Sequence, residues 1–376
     1  MRWYTGYLLV VMLCLGQSVA AQTRPVDSTT FFPLGLWGIW IDWNNDAPRL
    51  GGFPDWSQED QNFTDIHANY MVDHIPEHIE DDLLDHVSPL GYRINISRQP
   101  MVTGRTDSCS LHRWCVLADS IPMSLDTVTI TDGWDWQDWR AEADRRISSL
   151  LHIYGDNPNV LTFYAGHETE ICPDNVALRP FRQLAYKYVC EQWNARCSDP
   201  TKKLYFVLGP VPGWDFGAFL DIVPTRMWCF EPGYQFRPQA TVTNTIQQQE
   251  LDVLTTNLDY AREVFRYRPV EMWACLQSHM CDTGAHQMRY PNPSEIRAEG
   301  YLSLSRGAKG LNWFVYGSLM TYNGGDSYKG LVNYQRAPRQ GPESDTLFKA
   351  VAALHLELAS LTPTLRTLFV RDGLTS

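Results

Sequence analysis

The sequence predicts a single (β/α)8 barrel, and three observations carry that expectation. Short β-branched and aromatic runs alternate with segments of helical apolar spacing, and eight such pairs fit along the chain. The clearest run, VLTFYAGHETE at 160–170, is apolar on both faces and then breaks into Gly166, His167, Glu168 and Glu170. A strand buried on both faces belongs to a parallel sheet, and titratable groups at its carboxyl end sit where such barrels place their chemistry. No glycine-rich phosphate turn follows the first strand, which disfavours the runner-up, a doubly wound open sheet.

In chain order, 31–40 reads as the first strand with its loop, and 57–68 as a helix capped by Ser57 with Asp60 three residues on. Strand two is expected at 69–75, a short helix at 80–87 and strand three at 91–97. A long loop at 98–132 follows, and loops of that length are often functional. Helical spacing resumes at 136–153, and the turn at 155–159 delivers strand four. Thereafter come a helix at 175–196, strand five at 203–211, a short helix at 216–222 and strand six with its loop at 226–234. A helix at 245–265, strand seven at 270–279, a helix at 294–305, strand eight at 310–316 and a helix at 343–361 complete the pattern.

Residues 1–21 read as a secretory leader. Arg2 supplies the positive end, 8–15 the short apolar core, and Ser18-Val-Ala20 or Val19-Ala-Ala21 the small-residue cleavage site. The expectation is an exported protein, extracellular or periplasmic, whose barrel occupies 22–376. No later segment is apolar for long enough to span a membrane. Hydrophobic residues make up 44% of the chain, enough for a large core. A net charge of −12 argues against nucleic acid and anionic membranes as partners. A neutral carbohydrate fits better. Trp37, Trp40, Trp43 and Trp56 crowd one short segment; they serve either as core or as stacking faces for sugar rings.

Of the nine cysteines, Cys14 lies in the leader. The remaining eight are Cys109, Cys115, Cys172, Cys190, Cys197, Cys229, Cys275 and Cys281, an even number that in an exported chain points to disulfides. Cys109–Cys115, Cys190–Cys197 and Cys275–Cys281 are the short-loop candidates, which would leave Cys172–Cys229; the sequence does not fix this connectivity. With no CxxC pair, a zinc ribbon is not expected.

The carboxyl ends of the expected strands collect a candidate site. Strand one offers Trp37 and Trp40; strand two Asp73, His74 and Glu77; strand three Asn95 and Arg98. Strand four offers His167, Glu168 and Glu170; strand six Glu231 and Tyr234; strand seven Gln277 and His279; strand eight Trp313 and Tyr316. Two carboxylates facing one aromatic-lined pocket are what glycoside hydrolysis needs: one protonated to donate to the leaving oxygen, one ionised to attack or activate water. Histidines at the rim could orient a carboxylate or bind a sugar hydroxyl. Arg98 could pair with Glu168 and would then depress its pKa.

The segment Asn157-Pro-Asn-Val-Leu-Thr-Phe-Tyr-Ala-Gly-His-Glu168 resembles the fourth-strand segment of β-galactosidase-like and cellulase-like barrel glycosidases, where an HPxxLxWxxGDEP or NEP pattern supplies the acid/base glutamate. The run PSEIRAEGYLSLSRGAKG at 293–310 is similar to their helix entering the eighth strand, and FPLGLWG at 32–38 to their first strand. The resemblance implies that Glu168 is the acid/base. His167 stands where Asp or Asn is usual, and Thr169 replaces Pro. Strand seven departs further. Retaining relatives carry their nucleophile glutamate there, whereas this chain offers Gln277, with Glu271 at the opposite, amino-terminal end. Glu231 on strand six is then the best partner, with room for a water at the ~6.5–9.5 Å separation of inverting enzymes. No cofactor is implied. Relatives of this kind often carry a β-sandwich after the barrel, and the sequence does not tell whether one belongs to this protein.

His74-Ile-Pro-Glu-His78 matches an inverted zinc-protease pattern, but Pro76 would break the helix that such a site needs, so no metal is expected. Asn62-Phe-Thr64 and Asn95-Ile-Ser97 are glycosylation sequons, the second of them buried by its place in a strand. Two further readings compete with the glycosidase: a carbohydrate-binding barrel that has lost catalysis, and a metal-dependent hydrolase using the strand-two histidines.

Overall fold

The computed structural model describes residues 31–37, 56–72, 80–96, 136–167, 179–208, 228–232, 251–262 except 253 and 260, 270–281, 288–318, 328–332 and 342–367. The eight expected strands are present. They are β1 (Leu34–Trp37), β2 (Tyr70–Val72), β3 (Arg93–Ile96), β4 (Val160–His167), β5 (Lys203–Leu208), β6 (Trp228–Pro232), the split strand β7 (Val270–Met272) and β8 (Ala274–Gln277), and β10 (Leu311–Phe314). Two short strands, β9 (Met280–Cys281) and β11 (Tyr328–Lys329), pair antiparallel in a separate ribbon.

The main sheet runs β7-β6-β5-β4-β3-β2-β1-β10-β8, and every pairing is parallel. Its two ends, β7 and β8, are consecutive in the chain and separated by Trp273 alone. The outcome is a curled parallel sheet with helices α1 (Trp56–Ile66), α2 (Glu80–Val87), α3 (Trp136–Tyr154), α4 (Arg179–Arg196), α5 (Pro293–Ser305) and α6 (Pro342–Thr367). The described part of the expected 245–265 helix is also helical. The expected helix at 216–222 and the loop at 98–132 lie outside the described residues. Helices α1, α5 and α6 each start one residue before the expected position. Helix α1 begins at Trp56, so Ser57 lies within it. Helix α5 is capped by Asn292, whose side chain accepts from Ser294 and Glu295 while the Glu295 side chain accepts from the Asn292 N–H; Pro293 fills the first turn.

Strand alternation sorts the side chains into two cores. Leu34, Leu36, Met71, Ile94, Ile96, Phe163, Leu204, Ala274, Leu276, Leu311 and Trp313 belong to the large cluster shared with the helices. Trp37, Tyr70, Val72, Leu161, Tyr164, Tyr205 and Trp273 form the second cluster, against which Phe314 packs. Tyr70, Tyr205 and Trp273 meet through ring contacts at 5.0 and 5.9 Å, so aromatic rings fill the space that strand curvature encloses. Gly35 is required there: a Cβ would lie 1.7 Å from Asn312 Oδ1 and 2.9 Å from the Tyr70 ring.

The amino-terminal end of the sheet is bolted by charge. Glu271 accepts from Lys203 at 2.6 Å, from Arg366 at 2.9 Å and from the Trp273 indole at 3.1 Å, and Lys309 donates to the Leu365 carbonyl at the end of α6. Burial alone would raise the Glu271 pKa; the Lys203 and Arg366 charges outweigh it and hold the carboxyl at about 2. Glu271 is thus committed to structure, at the end of the sheet opposite the candidate site.

The expected Cys190–Cys197 bridge is corrected: both side chains are thiols. Cys190 lies inside α4 and Cys197 just beyond its end. Seven residues along a helix separate Cα atoms by ~10 Å, beyond the ~7 Å that a disulfide can span. No disulfide forms among the described residues. Cys109, Cys115 and Cys172 lie outside them.

Candidate functional site

The site is built on the carboxyl ends of β4, β5 and β6. Strand β4 carries an irregularity: Tyr164 pairs with Tyr205, Gly166 with Phe206 and His167 with Val207, so Ala165 is an extra residue. Such bulges cluster beside functional sites because they re-phase the residues that follow. Val207 pairs on its other side with Glu231. His167 and Glu231 therefore stand level, one strand apart on either side of β5. With strands ~4.8 Å apart, their backbones are separated by ~10 Å. Glu168 follows His167 directly in the chain but lies outside the described residues, as do Trp40, His74, Glu77, His78, Arg98 and Tyr234.

Strands β1, β8 and β10 supply the other wall. Trp37 is buried, with its ring 5.0 Å from that of Phe314. Phe314 meets the imidazole of His279 edge-on at 5.1 Å. His279 is buried, and its Nδ1 lies 2.7 Å from the Phe314 carbonyl; with Nδ1 as the donor, the ring is neutral and Nε2 carries the lone pair. Burial pushes its pKa down to about 4, with the Phe314 carbonyl opposing. The Trp37–Phe314–His279 series is what the structure brings together from the expected aromatic and histidine residues. Phe314 went unnoticed in the sequence because a buried strand is apolar on both faces.

Gln277 has a different job from the one its strand-seven position suggests. Its Nε2 donates to the backbone carbonyls of His279 at 2.8 Å and Arg289 at 2.7 Å. The position is built for an amide donor, since an ionised carboxylate would face two carbonyl oxygens. Asn95 lies among interior polar groups: its Nδ2 donates to Thr162 Oγ1 at 2.5 Å, and that hydroxyl also bonds the Tyr70 hydroxyl. Asn95 is fully buried, as is Asn62 within α1. Neither sequon presents an accessible asparagine in the folded chain.

Two of the expected substrate-binding residues pack in the core shared with the helices. Trp313 belongs to the core shared with the helices, and its indole N–H donates to Nε2 of the buried His355 at 2.9 Å. The other nitrogen of His355 bonds the Ile66 carbonyl at 2.9 Å. Tyr316 also packs in that core: its hydroxyl donates to the buried Glu59 of α1, and its ring lies 5.6 Å from Phe63. Trp313 alternates with Asn312 and Phe314, and the alternation turns it outward. The sequence signal for both partnerships was slight: single polar residues, Glu59 and His355, on the apolar faces of α1 and α6.

No family profile matches the sequence. No curated protein matches it either. The fold, in contrast, has clear relatives among solved structures. A β-galactosidase from the psychrophile Marinomonas ef1 superposes with a TM-score of 0.57 at 12% identity, over 89% of this chain and 62% of the other. A GH42 β-galactosidase from G. stearothermophilus superposes with a TM-score of 0.60 at 10% identity, over 90% and 58%. A β-glucuronidase from Bifidobacterium dentium gives 0.52 at 12%, over 86% and 46%.

The fold is that of the TIM-barrel glycoside hydrolases. At these identities the likeness is one of fold, and the chain spans about three-fifths of the length of the two galactosidases. It supports a divergent glycosidase-like fold for the chain.

Proposed function

We propose that this protein is a secreted glycoside hydrolase that cleaves O-glycosidic bonds of a neutral oligo- or polysaccharide, on a complete (β/α)8 barrel. Continuity of β7 into β8 through Trp273 supports closure of the barrel, because the pairing partners at the two ends of the sheet are then parts of one strand. The leader-like 1–21 segment supports export.

The observation that carries the reading is the shared pairing of His167 and Glu231 with Val207. It supports Glu168, next in the chain, and Glu231 as a carboxyl pair at one mouth. Glu168 acts as the general acid and protonates the leaving oxygen; Glu231 acts as the base that activates water. The two strand spacings between the β4 and β6 backbones are compatible with the wider carboxyl separation that inversion requires. The commitment of Gln277 to two carbonyls supports the absence of a strand-seven nucleophile. Trp37 and Phe314 supply apolar faces for the sugar and His279 a neutral acceptor; His74, Arg98, Trp40 and Tyr234, outside the described residues, are assigned to sugar binding from the sequence alone.

NMR of the product anomer tests this scheme. Inversion is expected, and a retained anomer would reject Glu231 as base. The same lack of a strand-seven nucleophile favours a second reading, a carbohydrate-binding barrel without catalysis. Glu168→Gln separates the two: the hydrolase loses turnover while retaining sugar affinity, whereas the binder has no turnover to lose.

A further inference from the structure

Glu299 stands apart from every role described so far. It lies one helical turn after Glu295 on α5, on the face turned towards the sheet, and is 0% exposed. Neither of its carboxyl oxygens has a side-chain partner among the described residues. A buried carboxylate in that state is among the costliest arrangements a fold can hold, whereas the neutral acid costs far less.

Its surroundings are specific. The backbone N–H of Gln277 faces the carboxyl. Strand β8 pairs with β10 through the alternate residues Ala274 and Ser278, while the pairing of β6 stops at Met272. The Gln277 amide therefore points away from β10, and α5 brings Glu299 to it. Arg289 is paired with Glu295: its two terminal nitrogens donate to the two carboxylate oxygens at 2.7 Å each, and the Asn292 N–H adds a third bond. The carbonyl of the same Arg289 holds the Gln277 side chain.

We propose that Glu299 is a protonation-operated latch: as the neutral acid it seals the joint between α5 and β8, and as the carboxylate it opens that joint. Ionisation places a second negative charge one turn from Glu295, with no cation of its own. The groups facing it from the other elements do not relieve this. Strand β8 offers Gln277, and beyond it comes His279, which is neutral. Helix α6 contributes Leu354, packed over Gly300, and its ion pair between Glu357 and Arg297 lies on the exposed side of the interface. Burial pushes the Glu299 carboxyl well above the usual range; Glu295 adds to this, and the Gln277 amide and Arg289 oppose it. To be hydrated, the carboxylate must part α5 from β8. That movement pulls on the Asn292 cap and on the Arg289 carbonyl that holds Gln277. The latch works whether or not the protein cleaves sugars.

Because the folded-state pKa is raised, the folded state binds a proton that the unfolded chain has already released above the ordinary carboxyl range. Stability is therefore lost as pH rises through and beyond that range. The test is thermal and denaturant unfolding of the full chain across neutral to alkaline pH, wild type against Glu299→Gln. The wild type should lose up to about tenfold in its folding constant per pH unit, and E299Q should lack that component. Equal slopes in the two proteins would overturn the latch. Infrared spectroscopy provides the second arm and needs only the wild type. The carbonyl stretch of a protonated carboxylic acid should be present at neutral pH, persist through the slope and vanish where the slope levels off. Should E299Q not fold, this band decides alone, and its absence from the folded wild type overturns the proposal.

Discussion

The side-chain amide of Gln277 donates to the backbone carbonyl of Arg289 at 2.7 Å, tying the end of strand seven to the residues that lead into helix α5. A second bond, to the His279 carbonyl, uses the other amide hydrogen. Replacing the amide by a carboxylate leaves two acceptors facing an acceptor. Gln277→Glu should therefore cost ~1–3 kcal/mol of stability at neutral pH. The loss should shrink at acid pH, where the new carboxyl is protonated and can donate one bond. Urea unfolding at two pH values checks this. A variant as stable as the wild type at neutral pH, or one that gains retaining hydrolysis, would show that the position tolerates a nucleophile.

Glu168→Gln should lower turnover by ~10²–10⁴ on substrates with poor leaving groups, and less on activated aryl glycosides, which need little protonation. Glu231→Gln should abolish turnover of both. Steady-state kinetics on the two substrate types distinguishes the roles, and equal damage to both by Glu168→Gln would remove Glu168 as the acid.

Trp313 and Trp37 should behave oppositely despite being tryptophans on neighbouring strands. Trp313→Phe leaves Nε2 of His355 without its donor inside the core and should cost ~1–3 kcal/mol, with sugar affinity unchanged. Trp37→Phe should weaken sugar binding. Calorimetric titration with an oligosaccharide, run beside thermal unfolding, separates the two; loss of affinity in Trp313→Phe would return that residue to the site.

Acid should unfold the protein in two limbs. Burial holds His279 and His355 at about 4, against 6.5 for the free imidazole, with the His67 charge a small further contribution at His355. Between those values the unfolded chain binds protons that the folded chain refuses, so stability falls as pH drops from about 6.5 towards 4, by up to a hundredfold per pH unit in the folding constant for the two groups together. Glu271, at about 2 when folded, contributes stability above 4.5 that is lost as pH falls from there towards 2. Circular dichroism melts across this range should show both limbs. His355→Gln should flatten the first, and a melting temperature constant from pH 6.5 to 4 would refute the neutral-histidine assignment.

Alkylation of the denatured, unreduced chain followed by peptide mass analysis should find Cys190 and Cys197 both modified. Burial raises both thiols, so in the native state they should react slowly. A Cys190–Cys197 disulfide peptide would contradict the helical separation.

What the sequence determined by itself is the order and kind of the elements, and with them the end of the sheet where chemistry collects. Period-two and period-3.6 patterning survives in any parallel barrel, because each strand and each helix face must bury its own apolar surface. The Asn292-Pro-Ser-Glu295 cap is a local motif that needs only its own four residues, and it starts α5 one residue before the expected 294. Facing was not legible. A barrel strand is buried on both sides, so Trp313 and Phe314 look alike in a sequence, and only pairing register turns one towards His355 and the other towards Trp37. The same holds for groups that meet across long separations. Neither the two carbonyls that claim Gln277, nor the Val207 that sets His167 level with Glu231, nor the interface that buries Glu299 can be read from spacing along the chain. Each is decided by which strands and helices become neighbours when the sheet curls.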